Sequence, residues 1–212
     1  MGNNIIPYGS EILRSLLRRD SICLGFRNSD FGFNVMKLLM HICCAPCTIY
    51  PLQILRSDRH DLYGLFYNPN IHPYREYKKR LDTLITYATQ VGLSVTYPEE
   101  YNLEGFIRNV VFREKDRCRH CYYDRLQLTA HRAKEERFKG FTTTLLYSKF
   151  QDHAMIKNIG ESLAIEHKIK FYYQDFRIGW MDGIRVSKEV GLYRQPYCGC
   201  IYSEKERFYP FK

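Results

Sequence analysis

Most cysteines of this chain of 212 residues lie in three short groups that are far apart along the sequence. They belong to the segments HICCAPC, CRHC and CGC and are Cys43, Cys44, Cys47, Cys118, Cys121, Cys198 and Cys200. Thiols this closely spaced, in groups that only a folded scaffold can bring together, are typical of a polynuclear metal site. The sequence therefore predicts a metal centre built from distant segments.

The spacing of the cysteines favours an iron–sulfur cluster over zinc. The C-x2-C pair of Cys118 and Cys121 occurs in both kinds of site and decides nothing alone. Adjacent cysteines and a C-x-C pair, however, are not zinc-knuckle spacings. A [4Fe–4S] cluster takes four thiolates, which leaves three for a second metal or a redox dithiol. A zinc site and a purely disulfide-bonded framework remain as alternatives.

Two interpretations stay open for the CGC pair. Gly199 gives Cys198 and Cys200 the backbone freedom to close a strained, readily reduced disulfide. Such a pair would supply the second redox element that a two-electron reduction needs beside a one-electron cluster. Both cysteines can equally be further metal ligands.

The charge of the chain favours a nucleic acid as partner. The formal net charge is +9 and the pI is about 9.1. Lysine and arginine gain affinity for phosphates by releasing counterions. Single basic groups usually mark solvated helix faces, but several of these groups surround the CRHC motif. The 18 tyrosines also suit stacking on unpaired bases.

Size and composition predict a single α/β domain over residues 36–212, preceded by an N-terminal extension over residues 1–35 that contains the isolated Cys23. The first residues carry charges where a signal peptide would be apolar, and no later stretch reaches the length of a membrane span. We therefore expect a cytoplasmic protein, without a membrane association, whose thiols are reduced or metal-bound.

Apolar runs alternate with amphipathic stretches from Lys37 onward. The runs predict strands at 37–42, 62–68, 93–97, 141–146 and 170–173. The amphipathic stretches predict helices at 48–57, 73–91, 102–112, 122–138, 151–167 and 181–190. This alternation indicates βαβ units, and hence a Rossmann-like parallel sheet with flanking helices. Ligands of such sheets bind at the carboxyl ends of the strands, where HICCAPC and the segment after FTTTLL are expected.

Five blocks of the sequence, in order, resemble the QueH type of epoxyqueuosine reductase, the compact family that does not use cobalamin. They are HICCAPC, FYNPNIHPYREYKKR, RCRHCY, FTTTLLYS and GLYRQPYCGC. The resemblance runs from about Lys37 to Arg207. It implies the Rossmann-like α/β layer of the adenine-nucleotide hydrolase group, in agreement with the alternation of elements.

The resemblance implies the last step of queuosine synthesis: reduction of the epoxide of epoxyqueuosine, at the wobble position of tRNA, to the alkene of queuosine. The cofactors would be a [4Fe–4S] cluster and a second, mononuclear iron, without cobalamin. Carried over by motif, the cluster ligands are Cys43, Cys44, Cys118 and Cys121, and the redox-active pair is Cys198 and Cys200. Some members have an acidic residue where this chain has Cys47, which assigns that position to the second iron.

The implied substrate is a modified anticodon loop, in which unstacked bases are read by aromatic stacking and phosphates by basic side chains. The predicted phosphate contacts are Arg75, Lys79, Arg117 and Arg119. An external electron donor, such as a ferredoxin or a dithiol, would regenerate the enzyme.

Two other functions fit part of the pattern. One is a different iron–sulfur enzyme that transfers sulfur to tRNA; it would normally activate the base with ATP, yet the first strand leads to HICCAPC instead of a pyrophosphate loop. The other is a zinc-stabilised RNA-binding protein. Iron and acid-labile sulfide in anaerobically purified protein would favour an enzyme, and a single zinc the binding module.

Overall fold

The computed structural model describes residues 35–209, and the extension predicted for residues 1–35 lies outside them apart from Val35. Five parallel strands form one sheet in the order β3-β2-β1-β4-β5. They are β1 Lys37–His41, β2 Asp61–Leu65, β3 Ser94–Thr96, β4 Gly140–Thr143 and β5 Lys170–Phe171. The predicted α/β fold with a parallel sheet is confirmed.

Seven helices accompany the sheet in the described residues. They are α1 Ala45–Ser57, α2 Tyr74–Gln90, α3 Leu103–Val110, α4 Arg117–Glu135, α5 His153–His167, α6 Trp180–Glu189 and α7 Ile201–Phe208. Helix α1 packs against α6 and α2, whereas α4 packs against α5 and against strands β1 and β4. No helix within residues 35–209 is both long and apolar enough to cross a membrane.

The centre of the sheet is apolar, as expected for a parallel strand that is covered on both faces. Leu38, Leu39 and Met40 of β1 are at most 2% exposed, and Phe141 of β4 is fully buried. This continuous burial fixes β1 and β4 side by side, so that the segments that follow them emerge together.

The carboxyl ends of β1 and β4 form the point at which the strand order reverses. β1 pairs with β2 on one side and with β4 on the other. His41, the last residue of β1, stands level with Thr143, the last residue of β4. A crevice outside such a reversal is the usual ligand site of open parallel sheets, and HICCAPC and residues 144–152 both leave the sheet there.

The structure differs from the sequence prediction mainly at helix starts. Helix α1 begins at Ala45 instead of residue 48, since Pro46 is well suited to a first helical turn. Helix α4 begins at Arg117 instead of residue 122, so the CRHC motif lies in its first turns. Helix α7 was not predicted. Strand β4 ends at Thr143, whose hydroxyl accepts the amide of Leu145 and starts a 3-10 turn.

Candidate metal centre

The first group of cysteines surrounds the start of helix α1. Cys44 is the N-cap of this helix and Cys47 lies in its first turn. The Sγ atoms of Cys43, Cys44 and Cys47 all lie within 4.8 Å of one another, and those of Cys43 and Cys44 are 3.8 Å apart. We call these three residues the thiol triad. Within residues 35–209 it is the group of side chains best placed to hold a metal ion.

Hydrogen bonds inside the triad favour one shared thiolate. The thiols of Cys44 and Cys47 hold the pKa of Cys43 well below its usual range. Burial raises the pKa of Cys44, and the hydrogen bond with Cys43 is the main cause that raises the pKa of Cys47. The hydroxyl of Thr144, after β4, lies 3.3 Å from the Cys43 Sγ and accepts the Cys43 amide at 3.0 Å. A thiolate held at Cys43 favours the binding of a positively charged metal ion in the triad.

The spacing of the triad fits a single ion. A tetrahedral ion with metal–sulfur bonds of about 2.3 Å places its thiolates about 3.8 Å apart, which is the distance between the Cys43 and Cys44 Sγ atoms. Thiolates on different irons of a cluster stand farther apart. The triad includes no carboxylate or imidazole, so its donor set favours a thiophilic metal such as iron or zinc.

The other four cysteines of residues 35–209 line one cavity of 150 Å³, which we call the thiol pocket: Cys118, Cys121, Cys198 and Cys200. The first two come from the start of α4 and the last two from the loop that leads into α7. Cys118 and Cys198 are exposed, while Cys121 and Cys200 are buried. The predicted cluster ligands are therefore divided, with Cys43 and Cys44 in the triad and Cys118 and Cys121 in the pocket.

Arg125 connects the two groups of thiols. This buried residue of α4 lies one turn after Cys121, and its guanidinium donates to the Cys121 Sγ at 2.9 Å and to the Cys121 carbonyl. Burial opposes its charge, but attraction to the negative charge that Cys121, Cys198 and Cys43 carry once they ionise raises its pKa. Burial also raises the pKa of Cys121 itself to about 12. Arg125 therefore contacts the CRHC motif directly and interacts electrostatically with one thiol of each of the other two motifs.

The loop that carries the CGC motif is held by the side chain of Arg80 on α2. Its guanidinium donates to the carbonyls of Cys198 at 2.8 Å and Tyr197 at 3.1 Å, and to the carboxylate of Glu76 at 2.7 Å. The amide of His72 donates to the Gly199 carbonyl at 2.8 Å. A segment from the middle of the chain thus positions the C-terminal thiols.

Gly199 occupies a position that leaves little room for a side chain. Its φ of +150° lies in the range that favours glycine, and an added Cβ would meet Arg80, Asn70 and Ile71 at 3.2 Å each. The close packing keeps Cys198 and Cys200 at the mouth and at the wall of the same pocket.

Four polar side chains of the site were not identified from the sequence. Arg80 and Arg125 hold the thiol groups as described, and the carboxamides of Gln151 and Gln195 donate to the Sγ atoms of Cys198 at 3.3 Å and Cys44 at 3.0 Å. Arg125 follows Cys121 at helical spacing, which is a usable signal. Nothing in the sequence marks the other three.

The predicted phosphate contacts lie on two helices beside the thiol pocket. Arg75 and Arg119 are exposed. The ammonium of Lys79 lies 3.8 Å from the ring centre of Tyr193, and Arg117, partly buried, pairs with Glu206. Arg117 also lines both the thiol pocket and a neighbouring cavity of 960 Å³, which Arg119 lines as well.

Comparison with known proteins places this arrangement in a family. A family model described as epoxyqueuosine reductase QueH matches residues 38–206. A protein of that name from Dehalococcoides mccartyi is 36% identical over 172 residues, which cover 81% of this chain and 94% of the relative. The Thermotoga maritima protein is 38% identical over 181 residues, covering 80% and 91%, and the Streptococcus pyogenes protein is 33% identical, covering 80% and 71%. The chain belongs to the QueH family of epoxyqueuosine reductases.

Proposed function

We propose that this protein reduces the epoxide of epoxyqueuosine to the alkene of queuosine at the wobble position of tRNA, in the cytoplasm. One observation carries the proposal: in a chain of the QueH family, one group of three thiols follows strand β1 and four further thiols line a single pocket. Thiols and thiophilic metals are the protein groups that deliver electrons, and the adjoining surface carries basic side chains suited to RNA.

The reaction is tested directly on a substrate RNA. An anticodon stem–loop carrying epoxyqueuosine is incubated anaerobically with protein and a reductant, and the digested nucleosides are weighed by mass spectrometry. We expect a product that has lost one oxygen atom with wild-type protein and none with a Cys121→Ala control. Absence of product with protein that holds its full iron and sulfide would overturn the proposal.

For the cofactor, we propose a [4Fe–4S] cluster held by Cys43, Cys44, Cys118 and Cys121, with a mononuclear iron beside Cys47. Three thiols gathered in the triad and a separate cavity lined by four more support space for two metal groups. When bound, the cluster supplies electrons singly and the iron supplies Lewis acidity. Arg125 contributes a fixed positive charge that favours the deprotonated thiols each group requires.

One observation favours a second assignment of the cluster. Cys118, Cys121, Cys198 and Cys200 line the same cavity, so these four can also be the ligands, with the triad holding the single ion. Anaerobic iron and sulfide analysis of Cys198→Ser separates the two. Full sulfide content supports the first assignment, and its loss supports the second. A colourless protein with one zinc and no sulfide would exclude both.

Under the first assignment, Cys198 and Cys200 form the redox-active pair. Reduction of the epoxide to alkene and water needs two electrons and two protons, which two thiols supply by closing a disulfide. A ferredoxin or a small dithiol then returns the pair to the reduced state. The contacts of Arg80 and His72 with this loop keep both cysteines at the pocket during that cycle.

For the tRNA, we propose that Arg75, Lys79, Arg117 and Arg119 contact phosphates of the anticodon arm. The exposure of Arg75 and Arg119, and the position of Arg117 between the thiol pocket and the larger cavity, support this role. Binding of the stem–loop should weaken steeply as salt rises, and each Arg→Ala substitution should lower the slope of log K against log salt by about 1. A flat salt dependence would contradict phosphate contact.

A further inference from the structure

Gln195 lies against the thiol triad from the loop between α6 and α7. Its Nε2 atom is 3.0 Å from the Sγ of Cys44 and 4.0 Å from the Sγ of Cys47. The side chain thus approaches the two thiols from a segment about 150 residues further along the chain. Polar side chains that reach a thiol group from so far are candidates for a role in metal binding.

The other end of the carboxamide has no partner. Gln195 Oε1 is inaccessible to solvent and forms no hydrogen bond within residues 35–209. A buried carbonyl oxygen without a partner costs about 1–3 kcal/mol and points to a ligand such as an ion. The oxygen and nitrogen of a carboxamide are nearly identical in shape. Rotation of the carboxamide by about 180° about its terminal carbon–carbon bond therefore exchanges the two atoms and places Oε1 beside the Cys44 Sγ.

The loop holds this side chain firmly on both sides. Two residues earlier, the hydroxyl of Tyr193 donates to the Glu76 carboxylate at 2.7 Å, and two residues later the Tyr197 carbonyl accepts from Arg80 at 3.1 Å. Pro196 restricts the backbone of Gln195 to extended conformations. The carboxamide is therefore positioned before any ion arrives, as a ligand should be.

The chemistry of the triad leaves a place for an oxygen ligand. Ions bound by thiolates commonly complete their coordination with an oxygen or nitrogen donor. The triad itself contains no carboxylate or imidazole. We propose that Gln195 supplies a carboxamide oxygen to the metal ion bound beside Cys44 and Cys47, an inference that rests on the second iron of the proposed function.

Cobalt(II) titration tests this ligand without measuring turnover. The protein is the full chain, metal-free, with Cys118→Ser and Cys198→Ser, two exposed positions whose substitution leaves the competing pocket with two of its four thiols. Cobalt(II) is added anaerobically, and the thiolate charge-transfer and d–d bands give affinity and coordination. Circular dichroism confirms that each variant is folded.

Two substitutions separate a ligand from a hydrogen-bond donor. Gln195→Ala should weaken cobalt binding at least about tenfold and shift the d–d bands as water replaces the amide. Gln195→Glu should bind at least as tightly as the wild-type side chain, because its carboxylate can ligate although it cannot donate to sulfur. Gln90→Ala, at the C-terminal end of α2 and outside both thiol groups, should change neither measurement.

Equal affinity of Gln195→Ala and the wild-type side chain would overturn the proposal. So would a Gln195→Glu variant weaker than Gln195→Ala, because that order indicates an N–H···S role. Failure of the proposed function is a separate result: wild-type protein would then leave epoxyqueuosine unreduced, whatever cobalt shows at Gln195.

Discussion

The thiol triad and the thiol pocket are built in different ways. The triad comes from five consecutive residues, 43–47, at the junction of a buried strand and a helix. The pocket joins the first turns of α4 to a loop near the C-terminus, and two of its four thiols are exposed. Local sequence therefore defines the triad, whereas the pocket depends on tertiary contacts.

Because of this difference, the triad suits permanent binding of a metal, and the pocket suits access by a substrate and a reductant. A buried group on a rigid junction suits a permanently held ion, because its ligands move little. A pocket with exposed thiols on a loop suits groups that must meet a substrate and a reductant. Arg125 holds a buried positive charge against Cys121 of the pocket and interacts electrostatically with Cys43 of the triad.

The largest effect should come from loss of a pocket thiol. Cys118→Ala removes a cluster ligand in both assignments, so the visible charge-transfer absorption and turnover should both disappear. Cys47→Ala should instead keep the acid-labile sulfide and lose about one iron. Anaerobic absorption spectra, metal analysis and the stem–loop assay measure these results.

A suitable control for these variants is Cys23→Ala, since Cys23 belongs to none of the three motifs. Its iron, sulfide and turnover should match those of the wild type. Normal turnover in Cys118→Ala, or loss of sulfide in Cys47→Ala, would contradict the division between pocket and triad.

The second effect concerns the tertiary contacts that form the pocket. Arg80 is 2% exposed and joins α2 to the CGC loop, so Arg80→Met leaves Glu76 and two carbonyls without their cation. Removing one partner of a buried charge pair costs about 3–5 kcal/mol. We expect a loss of this size in the free energy of unfolding, measured with urea.

The same variant should also expose the loop. Cys200 is 8% exposed in the wild type, and release of the loop should make it react readily with alkylating reagents. Arg75→Met, on the exposed side of α2, is the matched control and should change stability by less than about 0.5 kcal/mol. If Arg80→Met and Arg75→Met have the same free energy of unfolding, the pocket does not depend on the contact between Arg80 and the CGC loop.

The contrast also explains what the sequence could predict. Apolar runs such as KLLMH predicted the strands and the parallel sheet, because a strand that is buried on both faces has a nearly continuous run of apolar residues. The triad was visible as adjacent cysteines in HICCAPC. Arg80 and Gln195 were not, because they act on residues more than 100 positions away, and a single sequence carries no record of such contacts.

Helix starts were missed for a related reason. The CRHC segment is strongly polar, so hydrophobic periodicity begins only at residue 122, while the helix begins at Arg117. Helix α7 has no buried residue and follows a turn motif, so its sequence lacks the apolar pattern that predicts a helix. In segments whose residue types are set by function, the periodic apolar pattern that predicts a helix is weak.

The third prediction compares thiol reactivity in the metal-free protein. The pKa of Cys43 is held well below its usual range by Cys44 and Cys47, so Cys43 should ionise before the other two cysteines of the triad. Its alkylation rate by iodoacetamide should therefore rise less steeply than that of Cys121 from about pH 7 to pH 9. Cys121, whose pKa burial raises to about 12, should react about tenfold faster per pH unit over that range.

Peptide mass spectrometry of samples quenched at several pH values gives both rates. Unfolding in urea is the control, since the two cysteines should then show the same pH dependence. A Cys43 rate that rises tenfold per pH unit in the folded protein would mean that the triad does not stabilise a thiolate.

The smallest effects should come from the hydrogen bonds that each group receives. Thr144 accepts the Cys43 amide and lies against its Sγ in a fully buried setting. Gln151 reaches the Sγ of Cys198 at 3.3 Å, where that thiol is exposed to water. Thr144→Val should therefore lower the free energy of unfolding by about 1–2 kcal/mol, because the buried amide loses its acceptor.

Gln151→Glu should cost less, about 0.5 kcal/mol, because a carboxylate oxygen still accepts from the buried Tyr122 hydroxyl and water replaces the amide at Cys198. Both values come from urea unfolding of the metal-free protein. The ratio of the two losses is the informative quantity, because an exposed loop group should tolerate loss of a partner that a preformed, buried group does not. If Gln151→Glu proves the costlier change, the pocket is the more rigid of the two groups, and the triad is the one whose thiols adapt to their metal.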